Sequence, residues 1–222
     1  LGRNPYEPTL RLQKSLVRDI QADAHADAHL LLVEHDPPVI TFGRRGNEAH
    51  VLASPEVLAT KGIETHHVSR GGDVTYHGPG QLVGYPILSL RRAKLKVSRY
   101  VHDLEEMLIC TLGRLGIAGR RVDCVKGATG VWVDDEKVAA IGVAVEQGVC
   151  YHGFALNVCP DLSHFGLIIP CGLAGSPVTS ISTLLGRDVR VSEIKTPLLQ
   201  SFAEVFDAEL RPALGAESQD SS

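Results

Sequence analysis

Arg70-Gly71-Gly72-Asp73-Val74-Thr75-Tyr76-His77-Gly78-Pro79-Gly80-Gln81-Leu82-Val83-Gly84-Tyr85-Pro86 places five glycines and two prolines in seventeen residues, with an Arg, a Tyr, a His and a Gln among them. Glycine costs backbone entropy on folding and serves where the chain needs positive φ or close backbone approach. Pro79 and Pro86 restrict their own φ and the residues before them. The combination reads as a rigid wall with exposed amides and a few aimed side chains; the alternative is a set of tight turns between strands. No phosphate loop fits, because G-x-x-x-x-G-K-[ST] is absent and Gly78, Gly80 and Gly84 do not form G-x-G-x-x-G.

Working outward, the chain reads as one α+β domain. Pro5 to Ile20 has the period of an amphipathic helix, and Leu30 to Glu34 and Val39 to Phe42 read as two strands joined by a turn at Asp36-Pro37-Pro38. Ser54-Pro55-Glu56 opens a short helix that Gly62 stops. Ile63 to Ser69 and Tyr85 to Leu90 are strand-like on either side of the glycine-rich wall. Ser98 is the expected cap of a helix over 99–115, ended by Gly116. Val131 to Val133 and Val138 to Val145 form a hairpin with a polar tip, its second arm buried on both faces, and Tyr151 to Val158 adds a strand. Ser180 or Thr179 caps a helix to Leu185, and Ser192 a last one to Leu210. Strands linked by short turns, with helices in separate blocks, predict a single domain with a largely antiparallel sheet flanked by helices, over residues 1–210. The polar residues 211–222 are expected to be a disordered tail.

Twenty-two basic and 26 acidic residues give a net charge of −4, which argues against a nucleic-acid binder. No apolar run spans a bilayer and no signal peptide is evident, so no membrane association and a cytoplasmic location are expected. The charge is segregated: 91–126 holds nine basic and four acidic residues, and Arg91 to Arg99 is either a docking surface for an acidic partner or a solvated face. His25, Asp27 and His29 have ligand-like spacing but no clear third ligand on their face, so no metal is expected. Cys110, Cys124, Cys150, Cys159 and Cys171 form no C-x-x-C pair and are odd in number, which suggests reduced thiols, mostly buried. Cys171 differs from the others, lying between Pro170 and Gly172 where the backbone turns. A nucleophilic thiol needs a cation or base, and His77, His152 and Lys137 are the candidates; spacing alone cannot choose among them.

Four motifs in order carry a resemblance: Arg70-Gly71-Gly72 with Thr75-Tyr76-His77-Gly78-Pro79-Gly80-Gln81-Leu82, Lys137-Val138-Ala139-Ala140-Ile141-Gly142, His152-Gly153-Phe154-Ala155-Leu156-Asn157, and Pro170-Cys171-Gly172-Leu173. The chain resembles the octanoyltransferase family of lipoate biosynthesis over 5–210. The resemblance implies a fold similar to the catalytic domains of biotin and lipoate protein ligases. It implies transfer of octanoyl from octanoyl-acyl carrier protein to a lysine of lipoyl domains, those of 2-oxoacid dehydrogenases and the glycine cleavage H protein. It implies that Cys171 is the acyl acceptor and that Lys137 lowers its pKa and transfers protons. The matching substrate-binding residues are Arg70, Gly71, Gly72, Asp73, Val74, Thr75, Tyr76 and His77, then Ala140, Ile141 and Gly142, then Gly153, Phe154 and Ala155. A thioester is already activated, so neither ATP nor another cofactor is expected. An ATP-dependent ligase, a cysteine hydrolase and a non-catalytic acyl-binding module of the same fold are the alternatives.

Overall fold

The structure is a computed structural model that describes residues 1–122, 129–169 and 177–212. In chain order, β1 (Gly2–Asn4) leads into α1 (Tyr6–Ala22), β2 (His29–His35), β3 (Val39–Phe42), α2 (Pro55–Thr60), β4 (Glu64–His67) and β5 (Val74–His77). Then come β6 (Gln81–Ser89), α3 (Val97–Gly113), β7 (Gly130–Val133), β8 (Glu136–Glu146), β9 (Val149–Asn157), α4 (Ile181–Leu185) and α5 (Val191–Phe206). A six-stranded sheet has the order β1-β2-β6-β9-β8-β7, and a three-stranded one the order β4-β3-β5. The pairing is antiparallel except for β1 with β2 and β3 with β4. The expected α+β architecture on a largely antiparallel sheet is therefore what forms.

Turn chemistry explains the long hairpin at its centre. Gln147 and Gly148 have φ of 48° and 84°, the two positive values that a two-residue hairpin turn between right-twisted strands requires. Helix α1 turns Val17 and Ile20 onto one face of the large sheet, against Ile87, Ala144 and Tyr151. On the other face α3 (Leu104, Leu108, Leu112) and α5 (Ile194, Leu198, Phe202) bury Leu82, Phe154 and Leu156 in the main core. The small sheet has its own apolar cluster, in which Ile40, Phe42, Val74 and Tyr76 meet Leu58, Ile63 and Ile168. Among the described residues no helix is long and apolar enough to cross a membrane.

Several boundaries differ from the sequence reading for local reasons. The strands on either side of Asp36-Pro37-Pro38 do not pair with each other, because that turn hands the chain from the large sheet to the small one. The glycine-rich stretch is itself partly strand, β5 and the start of β6, with Gly78-Pro79-Gly80 as the crossing between the sheets. Lys96, with extended ψ of 151°, is the cap of α3, so Ser98 is already helical. Arg190 precedes α5, where Glu193 accepts from its N–H at 2.7 Å, so Ser192 too is inside; the helix ends at Phe206 as Asp207 turns left-handed. Strand β1 has no periodicity to betray it. The second hairpin arm is not buried on both faces throughout, since Ala140 to Val143 are only half-buried. The tail expected from 211 is described only to Pro212, where Arg211 and Pro212 are exposed.

Between α1 and the sheets lies a polar layer instead of aliphatic packing. His35 donates or accepts with the Tyr85 hydroxyl at 2.7 Å, His77 Nδ1 faces Gln81 Oε1 at 3.2 Å, and the His152 ring stacks on Tyr151. Desolvation lowers His35 to about 4 and His152 to about 3, and pushes His77 well below its ordinary value, so all three rings are neutral at pH 7.

Two outcomes follow from this packing. A Cβ on Gly153 would lie 2.2 Å from the Gly84 carbonyl oxygen and 2.8 Å from Pro86 Cδ, so Gly153→Ala should cost about 1–3 kcal/mol in urea unfolding. Gly113, with nothing within 4 Å of the added Cβ, should tolerate Ala; equal stability of the two variants would contradict the close approach. The buried histidines bind protons more readily when unfolded, so their stabilisation is complete above about pH 6.5 and is lost as pH falls toward the folded values. His35 alone accounts for on the order of 3 kcal/mol by pH 4. Melting temperature should fall from pH 7 to pH 4.5; a flat profile would contradict neutral burial.

Candidate active site

The site is built where β7 stops. Its Gly130 pairs with Ala140, which leaves the edge of β8 without a strand from Ile141 onward. The glycine-rich wall occupies that edge: Gly71 N donates to Val143 O at 2.8 Å. Gly142 makes room, since a Cβ there would lie 3.0 Å from Gly71 O and 3.1 Å from Arg70 Cδ. The Arg70 side chain, 7% exposed, turns inward and donates to Thr41 O at 2.6 Å, to Thr41 Oγ1, and to the carbonyls of Gly71 and Asp73. Arg70 is thus the internal pin of the wall. From outside, the turn 43–46 adds three bonds, Gly43 N to Asp73 O, Arg44 N to Arg70 O and Arg45 N to Gly72 O.

Val74, Tyr76 and His77 are buried in β5, while Thr75 is half-buried. The Tyr76 hydroxyl, pushed up to about 12 by burial, pairs with His164 Nδ1 at 2.8 Å. Of the other predicted substrate-binding residues, Ala140, Ile141 and Gly142 form the half-buried part of β8, where the wall seats. Gly153, Phe154 and Ala155 are buried in β9, Phe154 toward the main core and Ala155 toward Val33, Val83 and Tyr85.

Lys137 is not at an exposed hairpin tip. It is 8% exposed, opposite Trp132 in the β7–β8 register, with Nζ 5.2 Å from the indole centroid, a cation–π distance. Its N–H donates to Pro177 O at 2.9 Å and its carbonyl accepts from Thr179 N at 3.0 Å. At the hairpin tip, Asp135 pairs with Arg120, which also donates to the main-chain carbonyl of Asp134. Cys171, with Pro170, Gly172 and Leu173, lies outside the described residues, as does Cys124. The described chain on one side of that segment ends at Ile169, whose N–H donates to His50 O at 2.7 Å, and on the other resumes at Pro177 beside Lys137.

Cys110, Cys150 and Cys159 all have thiols raised by desolvation, the opposite of an activated nucleophile. Of the thiols expected to be mostly buried, Cys150 is buried, Cys110 half-buried and Cys159 exposed; Cys159 follows the end of β9, where its N–H donates to Gly80 O. His77 and His152 are sealed in the polar layer and carry no charge for a thiolate. Among the described residues no group of three or more His, Cys, Asp or Glu could hold a metal ion.

Two features lay beyond the sequence reading. Asp73, 6% exposed, accepts from Asn47 N at 3.1 Å and from His50 Nδ1 at 2.5 Å. An acid in a glycine-rich wall signals a partner, but nothing in the sequence points 23 residues upstream to His50. The basic loop at 91–96 follows the far end of β6, seven to eight residues and about 25 Å along the strand from the Gln81 end that aligns with Lys137. Arg92 there caps the carbonyls of Ala24 and Ala26, and Arg99 pairs with Asp103.

Comparison with known proteins agrees with this architecture. The family model of the lipoyl protein ligase A/B catalytic domain matches residues 5–203. An octanoyltransferase of Solibacter usitatus is 48% identical over 96% of this chain and 93% of its own, and one of Alkaliphilus metalliredigens 45% identical over 95% and 94%. Among solved structures, lipoate-protein ligase A bound with ATP superposes with a TM-score of 0.75 at 18% identity, covering 94% of this chain and 85% of that one. A bipartite lipoate protein ligase of Thermoplasma acidophilum gives 0.71 at 18% identity over 94% and 83%. On the family model and on identities of nearly one residue in two along almost its whole length, the chain belongs to the octanoyltransferases of the lipoyl protein ligase A/B family.

Proposed function

We propose that this acyltransferase takes octanoyl from octanoyl-acyl carrier protein onto Cys171 as a thioester and passes it to the target lysine of a lipoyl domain. The observation that carries the reading is Lys137, buried at the start of β8 with its main chain bonded to Pro177 and Thr179, just past the Cys171 segment in sequence. The described cysteines support it by contrast, since burial raises every one of their thiols.

In the first half-reaction the Cys171 thiolate attacks the thioester carbonyl, the new C–S bond forms and the carrier's sulfur leaves with its electron pair. Lys137 takes the Cys171 proton, favours the thiolate by the charge it gains, and passes that proton to the departing carrier thiolate. In the second, the neutral lysine amine of the lipoyl domain bonds to the acyl carbon, the C–S bond breaks with its electron pair on Cys171, and the nitrogen's proton passes to Lys137, giving an amide and restoring the starting pair. Backbone amides of the glycine-rich wall are available to the developing oxyanion. Arg70, Gly71, Gly72, Asp73, Val74, Thr75, Tyr76 and His77, with Ala140, Ile141, Gly142, Gly153, Phe154 and Ala155, shape the acyl site, Arg70 by holding the wall and the glycines by close approach. Acceptors are the lipoyl domains of 2-oxoacid dehydrogenases and the glycine cleavage H protein, in a reducing cytoplasm. Because β6 separates the loop 91–96 from the Lys137 end of the sheet, we assign that loop a solvated role and not the docking of the carrier.

Octanoyl transfer from carrier to apo lipoyl domain should proceed without ATP or added metal. Dependence on ATP would assign the chain to the ligase activity, and release of octanoate without transfer would make it a hydrolase. The roles of Lys137 separate in two variants. Lys137→Arg keeps the charge but cannot give up a proton at neutral pH, so Cys171 alkylation should persist while transfer falls by about 10²–10⁴. Lys137→Met should lose both. If Lys137→Met alkylates and transfers like the parent, the lysine has no part in the chemistry.

A further inference from the structure

We propose that Trp132 is a positioning residue for Lys137: its indole face holds the lysine nitrogen whenever that nitrogen carries a proton, a role that rests on the part given to Lys137 above. A lysine nitrogen rides on a flexible four-carbon stem, and a proton carrier works only if its nitrogen returns to one place on every turnover. An aromatic face suits that task better than a carboxylate would. It attracts the ammonium but takes no proton from it, and its hold relaxes when the nitrogen becomes neutral.

The contact is built by the strand register. From the hairpin tip, Val133 pairs with Glu136 and Trp132 with Lys137; the pairing then shifts and Val131 faces Ala139, which makes Val138 an extra residue in β8. Continued from Val131 without that shift, the register would set Trp132 against Val138 and Lys137 against Val133. The bulge therefore brings indole and lysine opposite each other, where paired side chains share a face of the sheet.

Both residues are fixed at the main chain. Trp132, 6% exposed, exchanges both backbone bonds with Arg120 on its other edge, at 2.8 and 2.9 Å, while Lys137 is bonded to Pro177 O and Thr179 N. Gly130 opens the path between them: its φ is 134°, and a Cβ there would lie 3.0 Å from Lys137 Cε. The lysine stem passes that gap and brings Nζ to 5.2 Å from the indole centroid, inside the roughly 6 Å reach of a cation–π contact. Gly130 is held in turn by its N–H, which donates to Glu105 Oε1 at 3.0 Å. The charged groups on the elements packed around the pair are Arg120 with Asp135 near the tip, Glu136 beside Lys137 in β8, and Glu105 of α3 with Arg121.

Trp132 is the single tryptophan of the chain, so fluorinated tryptophan supplied to an auxotrophic host alters this ring alone. Fluorine withdraws charge from the ring face while leaving its shape almost unchanged. Octanoyl transfer in the full chain should fall by about threefold with monofluorotryptophan and about tenfold with difluorotryptophan, in kcat and not in KM, at an unchanged melting temperature. Trp132→Phe should fall between the parent and Trp132→Leu, the latter losing about 30-fold. The contact itself is read from Trp132 emission in a Cys171→Ala background, where no thiol of that segment titrates: its pH profile should contain a step that Lys137→Met removes. Parental turnover in both fluorinated proteins, or the same emission profile with and without Lys137, overturns the assignment. Parental transfer by Lys137→Met in the native-cysteine chain would instead take the lysine out of the reaction, and this role with it.

Discussion

The bond from Gly71 N to Val143 O is the contact on which the site depends. It exists because β7 ends opposite Ala140 and leaves a bare stretch of β8 edge, and because Gly142 and Gly71 present no side chains to each other. An uncovered strand edge is a liability in most proteins, and here the wall satisfies it. The same seating commits Arg70: with its guanidinium spread over Thr41, Gly71 and Asp73, it converts a glycine-rich segment from a flexible loop into a fixed surface. A wall fixed on both sides loses little entropy when a ligand is bound against it, which is the advantage of a preorganised site.

Electrostatics around that wall are divided by burial. On the α1 side, desolvation holds His35, His77 and His152 neutral, so the polar layer adds hydrogen bonds without adding charge. On the opposite side of the wall, Asp73 and His50 form a pair that solvent reaches. Lys137 of β8 places its Nζ over the Trp132 ring of β7. The arrangement keeps one lysine beside the chain where it resumes at Pro177 and one oriented imidazole at the turn that holds Ile169, at the two ends of the same chain segment.

The sequence made the architecture legible where periodicity and turn chemistry were strong: the hairpin of β7 and β8, the core face of α3, and the Ser54 and Ser180 caps, whose hydroxyls accept from Val57 N and Thr183 N. It failed where the determining contact is remote. Strand β1 is three residues long and exists only because β2 offers an edge. The turn at Asp36-Pro37-Pro38 reads as joining two strands, but nothing local says that those strands belong to different sheets. Lys137, read by itself, belongs among the acids of a hairpin tip; its burial comes from Trp132 and from a segment forty residues later. His50 had no local pattern at all, and its pairing with Asp73 emerges only when β3 and β5 bring that acid beside it.

The central claim is that acyl transfer passes through one particular thiol. Incubation of the intact protein with octanoyl-acyl carrier protein, in the absence of acceptor, followed by intact mass and peptide mapping, tests it most directly. The account predicts a single octanoyl adduct, labile to hydroxylamine, on the peptide containing Cys171 and on none containing Cys110, Cys124, Cys150 or Cys159. Efficient transfer to a lipoyl domain with no adduct at any time, or an adduct on one of the other four cysteines, would contradict it.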